Sequence, residues 1–172
     1  MMRYMILVMG LAVALTIAGV AGDGRAQGNN LPPSDNAIAF AKRTSDLLTN
    51  TLFAALVQEI GETTPDNVEE GNLSIGLVFS DSHRNFRLVG TFDPLSENDY
   101  PQDAFEDAAL AAALSGNPHT DVQRVSGRWF YRRSIPLSNF VPQCALCHTN
   151  FASLAPTDYV GALMLMVPIT MD

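Results

Sequence analysis

The chain has 172 residues, and its 18 acidic and 10 basic side chains give it a formal net charge of −8 at pH 7. This acidity argues against nucleic acid and anionic membrane surfaces as partners, because both are negatively charged. The length suits one domain that is large enough to bury a core. The two cysteines of the chain both lie within residues 144–148, so any thiol chemistry is concentrated there.

The first 26 residues have the three parts of a secretory signal peptide. Arg3 supplies the positive start, residues 5–21 form an apolar run, and residues 24–26 are a small-x-small cleavage site. A retained membrane anchor is the alternative, but the apolar run is short for a spanning helix. Cleavage would remove two basic residues and one acidic residue, which changes the net charge from −8 to −9. We therefore predict an exported protein, in the periplasm or the thylakoid lumen, with no stable membrane span after cleavage.

A linker and a long helix are predicted to follow. Residues 27–34 are polar and broken by prolines, and Ser34 is a good N-cap for a helix over residues 35–60. Apolar side chains recur along this helix at helical spacing, which is typical of core packing, and Gly61 is the predicted stop. A short helical turn over residues 64–71 comes next.

The rest of the chain alternates β-rich runs with one more helix. The predicted elements are strands at residues 73–80 and 85–92, a helix at 101–114, strands at 121–125 and 128–135, and a strand at 158–170. The first two strands form one predicted hairpin, and the next two form another that turns at Ser126-Gly127. This order indicates an α+β fold with an antiparallel sheet, in one domain over residues 35–172.

Residues 144–148 read CALCH, which is the attachment signature of c-type haem. Cys144 and Cys147 are the predicted thioether tethers of one haem c, and His148 is the predicted axial ligand of its iron. Three alternatives fit less well. A redox Cys-x-x-Cys pair usually opens a helix after a strand, a structural zinc site needs four ligands, and a disulfide across two residues is strained. Because haem c is attached outside the cytoplasm, the signal peptide and the motif support each other.

Three further stretches carry a more specific pattern: FDPLSENDYPQDAFED (92–107), WFYRRSIPL (129–137) and DYVGALMLMVPI (158–169). Together with CALCH they resemble a family of exported single-haem c-type domains with a PAS-like fold. Its members are stand-alone cyanobacterial haem proteins and the periplasmic sensor halves of bacterial chemoreceptors and histidine kinases. The resemblance covers roughly residues 35–170. It implies a PAS-like antiparallel sheet, a long N-terminal helix and a haem-attachment loop before the last strand.

The chain departs from this family in a way that concerns the iron. Members can carry a further cysteine near the end of the N-terminal helical region, where it resembles a second axial ligand. The comparable stretch here, residues 66–74, has no cysteine. The remaining candidates for that ligand are His83 and His119, both expected in turns, and Met164 and Met166, both on one face of the last strand. An open or water-occupied position is the leading expectation, with a distal side lined by apolar residues of the first helix and the sheet.

Arg132 and Arg133 are candidate partners of the haem propionates, since guanidinium groups suit carboxylates. Adjacent residues on a strand point to opposite faces, so at most one of the two would reach the haem. The alternative is that solvent surrounds both arginines. Trp129 and Tyr131 share a strand face and are predicted to pack in the core or against the porphyrin.

The haem is the only chemistry that the sequence indicates. The sequence contains no recognisable arrangement of nucleophile and base, no phosphate loop and no paired carboxylates placed for acid–base work. This favours a binding protein over an enzyme. The predicted function is sensing of a small diatomic ligand or of redox state, through a partner protein. A one-electron carrier with a six-coordinate iron is the alternative. A peroxidase-type enzyme is less consistent with the sequence, because no distal acid–base residue can be assigned.

Overall fold

The computed structural model describes residues 31–80, 85–90 and 97–170. The predicted signal peptide, His83 and residues 91–96, which precede the helix predicted at 101–114, lie outside these ranges. The helices are α1 (Asp35–Glu62), α2 (Val68–Ser80), α3 (Ala104–Ala113) and α4 (Cys144–Cys147), and the strands are β1 (Phe86–Gly90), β2 (His119–Val125), β3 (Arg128–Ser138) and β4 (Tyr159–Pro168). In these ranges, no helix is both long enough and apolar enough to cross a membrane.

The four strands form one antiparallel sheet in the order β1-β4-β3-β2. This confirms the predicted α+β class, the second predicted hairpin and the last strand. Ser126 and Gly127 both have positive φ, at 50° and 83°, as a two-residue hairpin turn requires. Gly161 on β4 lies opposite Gly90 on β1, and a Cβ at Gly161 would approach the Val89 carbonyl oxygen to 2.5 Å. The two strands can therefore come this close only because position 161 is glycine.

Helices cover both faces of the sheet. On one face, α3 packs against the central strands through a cluster of Val89, Phe105, Ala109, Leu110, Ala113, Ala162 and Met164. On the other face, α1 packs against the side chains that alternate with these, in a cluster of Ala41, Tyr131, Val167 and Ile169. Trp129 lies against this second cluster, as core packing predicts, and its indole N–H donates to the Leu31 carbonyl at 3.1 Å.

The long predicted helix is confirmed as α1. Ser34 caps it, since its Oγ accepts the Ala37 N–H at 3.3 Å. The helix runs past the predicted stop at Gly61 and ends at Glu62, where the Thr63 N–H donates to the Ile60 carbonyl at 3.1 Å. A glycine with no need for positive φ does not by itself end a helix.

The predicted strand at residues 73–80 is wrong, and so is the first predicted hairpin. These residues form most of α2, which begins at Val68 and continues through Gly71 and Gly76. An apolar run of this length does not distinguish a strand from a helix. One feature of the sequence favoured the helix. Glu69 and Glu70 lie in its first turn, where the helix dipole stabilises negative charge. The strand β1 pairs with β4 instead.

Candidate haem-binding site

The CALCH motif lies in the connection between β3 and β4. The four residues Cys144–Cys147 form the single turn of α4, in which the Cys144 N–H donates to the Val141 carbonyl at 3.1 Å and the His148 N–H donates to the Cys144 carbonyl at 3.0 Å. Residues three apart lie on one side of a helical turn. The turn therefore presents both cysteines on the same side and places His148 directly after them.

An aromatic stack fixes the plane of the His148 ring. The ring of Phe151 lies parallel to the imidazole, with 4.6 Å between the ring centroids and 16° between the planes. Phe151 is buried, and its N–H donates to the His148 carbonyl at 2.8 Å. The Asn139 amide donates to the Phe151 carbonyl at 3.3 Å and to the Leu154 carbonyl at 3.1 Å, which holds this segment against the end of β3.

The motif borders a cavity of about 600 Å³, a volume typical of sites for small molecules and cofactors. Its walls come from α1, α2, β1, the end of β3, the start of β4 and the motif segment. The lining residues are Leu56, Ile60, Thr63, Asn72, Leu73, Ile75, Gly76, Phe79, Arg87, Leu88, Val89, Gly90, Asn98, Asp99, Leu137, Ser138, Phe140, Gln143, Cys144, Cys147, His148, Phe151, Val160 and Gly161. The sheet, α1 and α2 thus contribute mainly apolar side chains to one space beside the motif.

Both cysteines are free thiols and are half-buried. Burial raises the pKa of the Cys144 thiol, where the nearby Cys147 acts in the same direction and backbone hydrogen bonds oppose it. Burial also raises the pKa of the Cys147 thiol. A redox-active pair needs a thiolate, which a lowered pKa provides. The environment of the two thiols therefore disfavours the redox alternative.

No group of three or more His, Cys, Asp or Glu side chains within the described ranges is arranged to hold a metal ion. The motif accordingly offers an imidazole, with two thiols beside it, rather than a four-ligand cage. A structural zinc site would need ligands from outside these ranges.

Neither predicted propionate partner lines the cavity. Arg132 points toward α3, where it donates to both Asp103 carboxylate oxygens at 2.7 and 3.1 Å and lies 4.2 Å above the Phe105 ring. Arg133 points toward α1 and pairs with Asp46. The two arginines face opposite sides of the sheet, as strand alternation predicts. Each has a carboxylate partner away from the motif, so the structure does not bring either to the cavity.

The described candidates for a second iron ligand also lie away from the cavity. His119 is the first residue of β2 rather than part of a turn, and its ring packs against Phe105 with 5.1 Å between centroids. Met164 is buried in the cluster beneath α3, and Met166 follows it on the same strand face. Within the described lining, His148 supplies the imidazole and no methionine is present.

Sequence reasoning missed Arg87, the cationic side chain of the described cavity lining. It is 8 % exposed and belongs to a buried charge network formed by Arg87, Glu106, Arg132 and Asp103. Its guanidinium donates to Glu106 Oε2 at 2.5 Å, to the Tyr100 carbonyl at 2.9 Å and to the Asn98 carbonyl. The sequence did carry a signal, which is that Arg87 is a basic residue inside the apolar run that forms β1. An arginine in such a run is expected to be buried and to need a charged partner.

The cavity-facing residues of α2 were missed for a different reason. Asn72, Ile75, Gly76 and Phe79 all line the cavity, but three of them fell in the stretch predicted as a strand. Helical spacing would have placed all four on one face.

Comparison with models of known protein families found no match, and comparison with curated proteins found none either. The functional interpretation of this chain therefore rests on its motif and on the cavity that the motif borders.

Proposed function

We propose that this chain is an exported protein that binds one haem c covalently, with Cys144 and Cys147 as the tethers and His148 as the axial ligand. The observation that carries this proposal is the placement of all three residues on the wall of one largely apolar cavity of about 600 Å³. A motif without a function in cofactor binding has no need of such a space beside it. We propose the periplasm or the thylakoid lumen as the location, since haem c is attached outside the cytoplasm.

The residues of the cavity fit a flat apolar group. Leu56, Ile60, Ile75 and Phe79 offer apolar contacts, and Leu73 is 64 % exposed at the cavity wall. Burial of such side chains against a porphyrin would stabilise the complex by about 25 cal/mol per Å². When bound, a haem supplies reversible electron transfer and the capacity to bind diatomic gases. The chain's own contribution is to hold the group, to orient His148 through Phe151 and to restrict solvent.

The favoured role is sensing of a small diatomic ligand or of redox state. The described lining provides no imidazole or thioether besides His148, which supports an iron with one face available to an exogenous ligand. The described lining also offers no histidine placed as a distal acid–base group, and we propose a binding protein rather than an enzyme. The antiparallel sheet with a long N-terminal helix is compatible with a PAS-like domain, and a partner protein would have to transmit the signal.

Covalent attachment is the first test. The protein would be produced with a periplasmic haem-ligation system, run on a denaturing gel and stained for haem, and extracted with acidified acetone. We expect the haem to stay with the chain, and we expect the Cys144→Ser or Cys147→Ser variant to keep a single tether. Haem that leaves with the solvent would rule out the c-type assignment.

The iron ligands are the second test. His148→Ala should keep covalent haem but shift the Soret band, because the tethers remain while the axial bond is lost. Ferrous wild-type protein should show high-spin bands and bind carbon monoxide rapidly. A low-spin spectrum that carbon monoxide does not change would instead indicate a second protein ligand and favour a one-electron carrier.

A further inference from the structure

The helix α2 presents one continuous face to the cavity. Asn72, Ile75, Gly76 and Phe79 line it, and their positions follow the i, i+3, i+4, i+7 spacing of a single helical face. The apolar side chains of Ile75 and Phe79 flank Gly76 on this face. The space next to Gly76 therefore favours an uncharged ligand over an anion.

Gly76 has no packing reason to be glycine. A Cβ built at Gly76 would meet no heavy atom within 4 Å. A Cβ built at Gly71, five residues earlier, would instead lie 2.6 Å from the Thr63 Oγ1. Glycine in a helix interior is unfavourable relative to alanine, because it loses more backbone freedom on folding. Gly71 is explained by its neighbour. Gly76 is unfavourable for the helix and leaves open space at the cavity wall.

We propose that Gly76 keeps this wall free of a side chain so that a small uncharged ligand can reach the iron, and that it thereby sets the largest ligand that the site accepts. This inference rests on the proposed function, because it requires a haem bonded to His148 with its other face available. Gly76 is then a specificity-determining residue, which discriminates by size between a diatomic gas and a larger ligand such as imidazole.

The chain offers a matched control in Gly61. It lies in the last turn of α1, a Cβ there would also meet no heavy atom within 4 Å, and it does not line the cavity. Alanine and leucine at either position replace a poor helix former by a good one. Neither substitution is expected to lower the thermal midpoint of the haem-loaded protein, so a binding defect can be separated from a folding defect.

The experiment compares haem-loaded wild type with Gly76→Ala, Gly76→Leu, Gly61→Ala and Gly61→Leu. Absorbance titrations would measure binding of carbon monoxide to the ferrous protein and of imidazole to the ferric protein, and thermal unfolding would be recorded in parallel. In Gly76→Leu, we expect imidazole affinity to fall by about tenfold or more, and carbon monoxide affinity to fall less. Gly76→Ala should lower imidazole affinity severalfold, and both Gly61 variants should bind as wild type does.

Two results would overturn the inference, and they are distinguishable. Equal imidazole affinity in wild type and in both Gly76 variants would overturn it while leaving haem binding and the available iron face intact. A wild-type protein without covalent haem, or one whose ferrous form ignores carbon monoxide, would overturn the proposed function and this inference with it. If Gly76→Leu does not fold, the comparison of Gly76→Ala with Gly61→Ala decides.

Discussion

The buried charge network beneath α3 and the cavity beside α4 both include Arg87. They differ because the charged groups of the network have bonding partners within the chain, whereas residues of the cavity wall face open space. In the network, Glu106 accepts hydrogen bonds from Arg87 and from the Gln102 N–H at 2.9 Å, and Arg132 is held by Asp103. At the cavity wall, Leu73 is largely exposed and Gly76 faces open space. The difference indicates that the network stabilises the fold, and it agrees with our proposal that the cavity wall contacts a cofactor.

Glu106→Ala is expected to give the largest effect. Glu106 is 5 % exposed, and its removal would deprive the buried Arg87 of its carboxylate partner, which typically costs about 3–5 kcal/mol. Urea unfolding would measure the loss. The control is Asp46→Ala, because Asp46 is about half exposed and its pair with Arg133 should contribute only about 0–1 kcal/mol. Equal losses of unfolding free energy in the two variants would contradict this prediction, because they would show that the buried network stabilises the protein no more than an exposed ion pair does.

Leu163→Ala and Leu73→Ala extend the comparison to apolar side chains. Leu163 on β4 is fully buried, and its truncation should lower the free energy of unfolding by about 2–5 kcal/mol. The same change at Leu73, which is 64 % exposed, should alter it by less than about 0.5 kcal/mol in haem-free protein. Chemical unfolding of both variants checks this. A large loss at Leu73 would mean that the cavity wall already supports the fold.

Asp103→Asn should give a small effect, one that depends on pH. Burial raises the pKa of Asp103, but the Arg132 guanidinium and the backbone N–H groups of Glu106 and Phe105 outweigh it and lower the pKa below its usual value of 3.8. A lowered pKa in the folded state stabilises the protein above the unfolded value, and this contribution disappears as pH falls through the folded value.

Asparagine is also a good N-cap, so Asp103→Asn should keep the cap of α3 while it removes the charge and one of the two oxygens that accept from Arg132. Because the Asp103 side chain is 46 % exposed, we expect a loss below about 1 kcal/mol at pH 7. Urea unfolding of both proteins should show this difference shrinking as the pH falls below 3.8. A difference that does not change with pH would show that the Asp103 charge is not its source.

Local signals in the sequence were sufficient for the elements that depend on them. The Ser126-Gly127 dipeptide predicted the β2–β3 hairpin, and Ser34 predicted the start of α1. The apolar run of α2 carries no such signal within itself, because its helical state depends on packing against α1 and β1. The acidic residues that favour the helix, Glu69 and Glu70, come before the run. Strand order was equally beyond the sequence, since the pairing of β1 with β4 is a tertiary contact.

In the candidate site, too, the residues that depend on local spacing could be predicted and those that depend on tertiary contacts could not. Cys144, Cys147 and His148 could be identified because their chemistry requires a fixed local spacing. Arg132 and Arg133 could be assigned to opposite strand faces, but their partners Asp103 and Asp46 come from helices that are distant in sequence. Arg87 and Gly76 reach the cavity only through the fold.

The position of β4 has a consequence for the order in which the chain can fold. The strand β4 is the last element of the described sequence and lies between β1 and β3, so β1 has no neighbouring strand in the described sheet until β4 is in place. Closing the long segment between β1 and β4 costs chain entropy before the pairing can compensate for it. If the chain is exported as we propose and crosses a membrane from its N-terminus, residues 144–148 emerge before the sheet can close. In that case, the two thiols would be accessible to the enzyme that attaches the proposed haem before β4 has paired with β1 and β3.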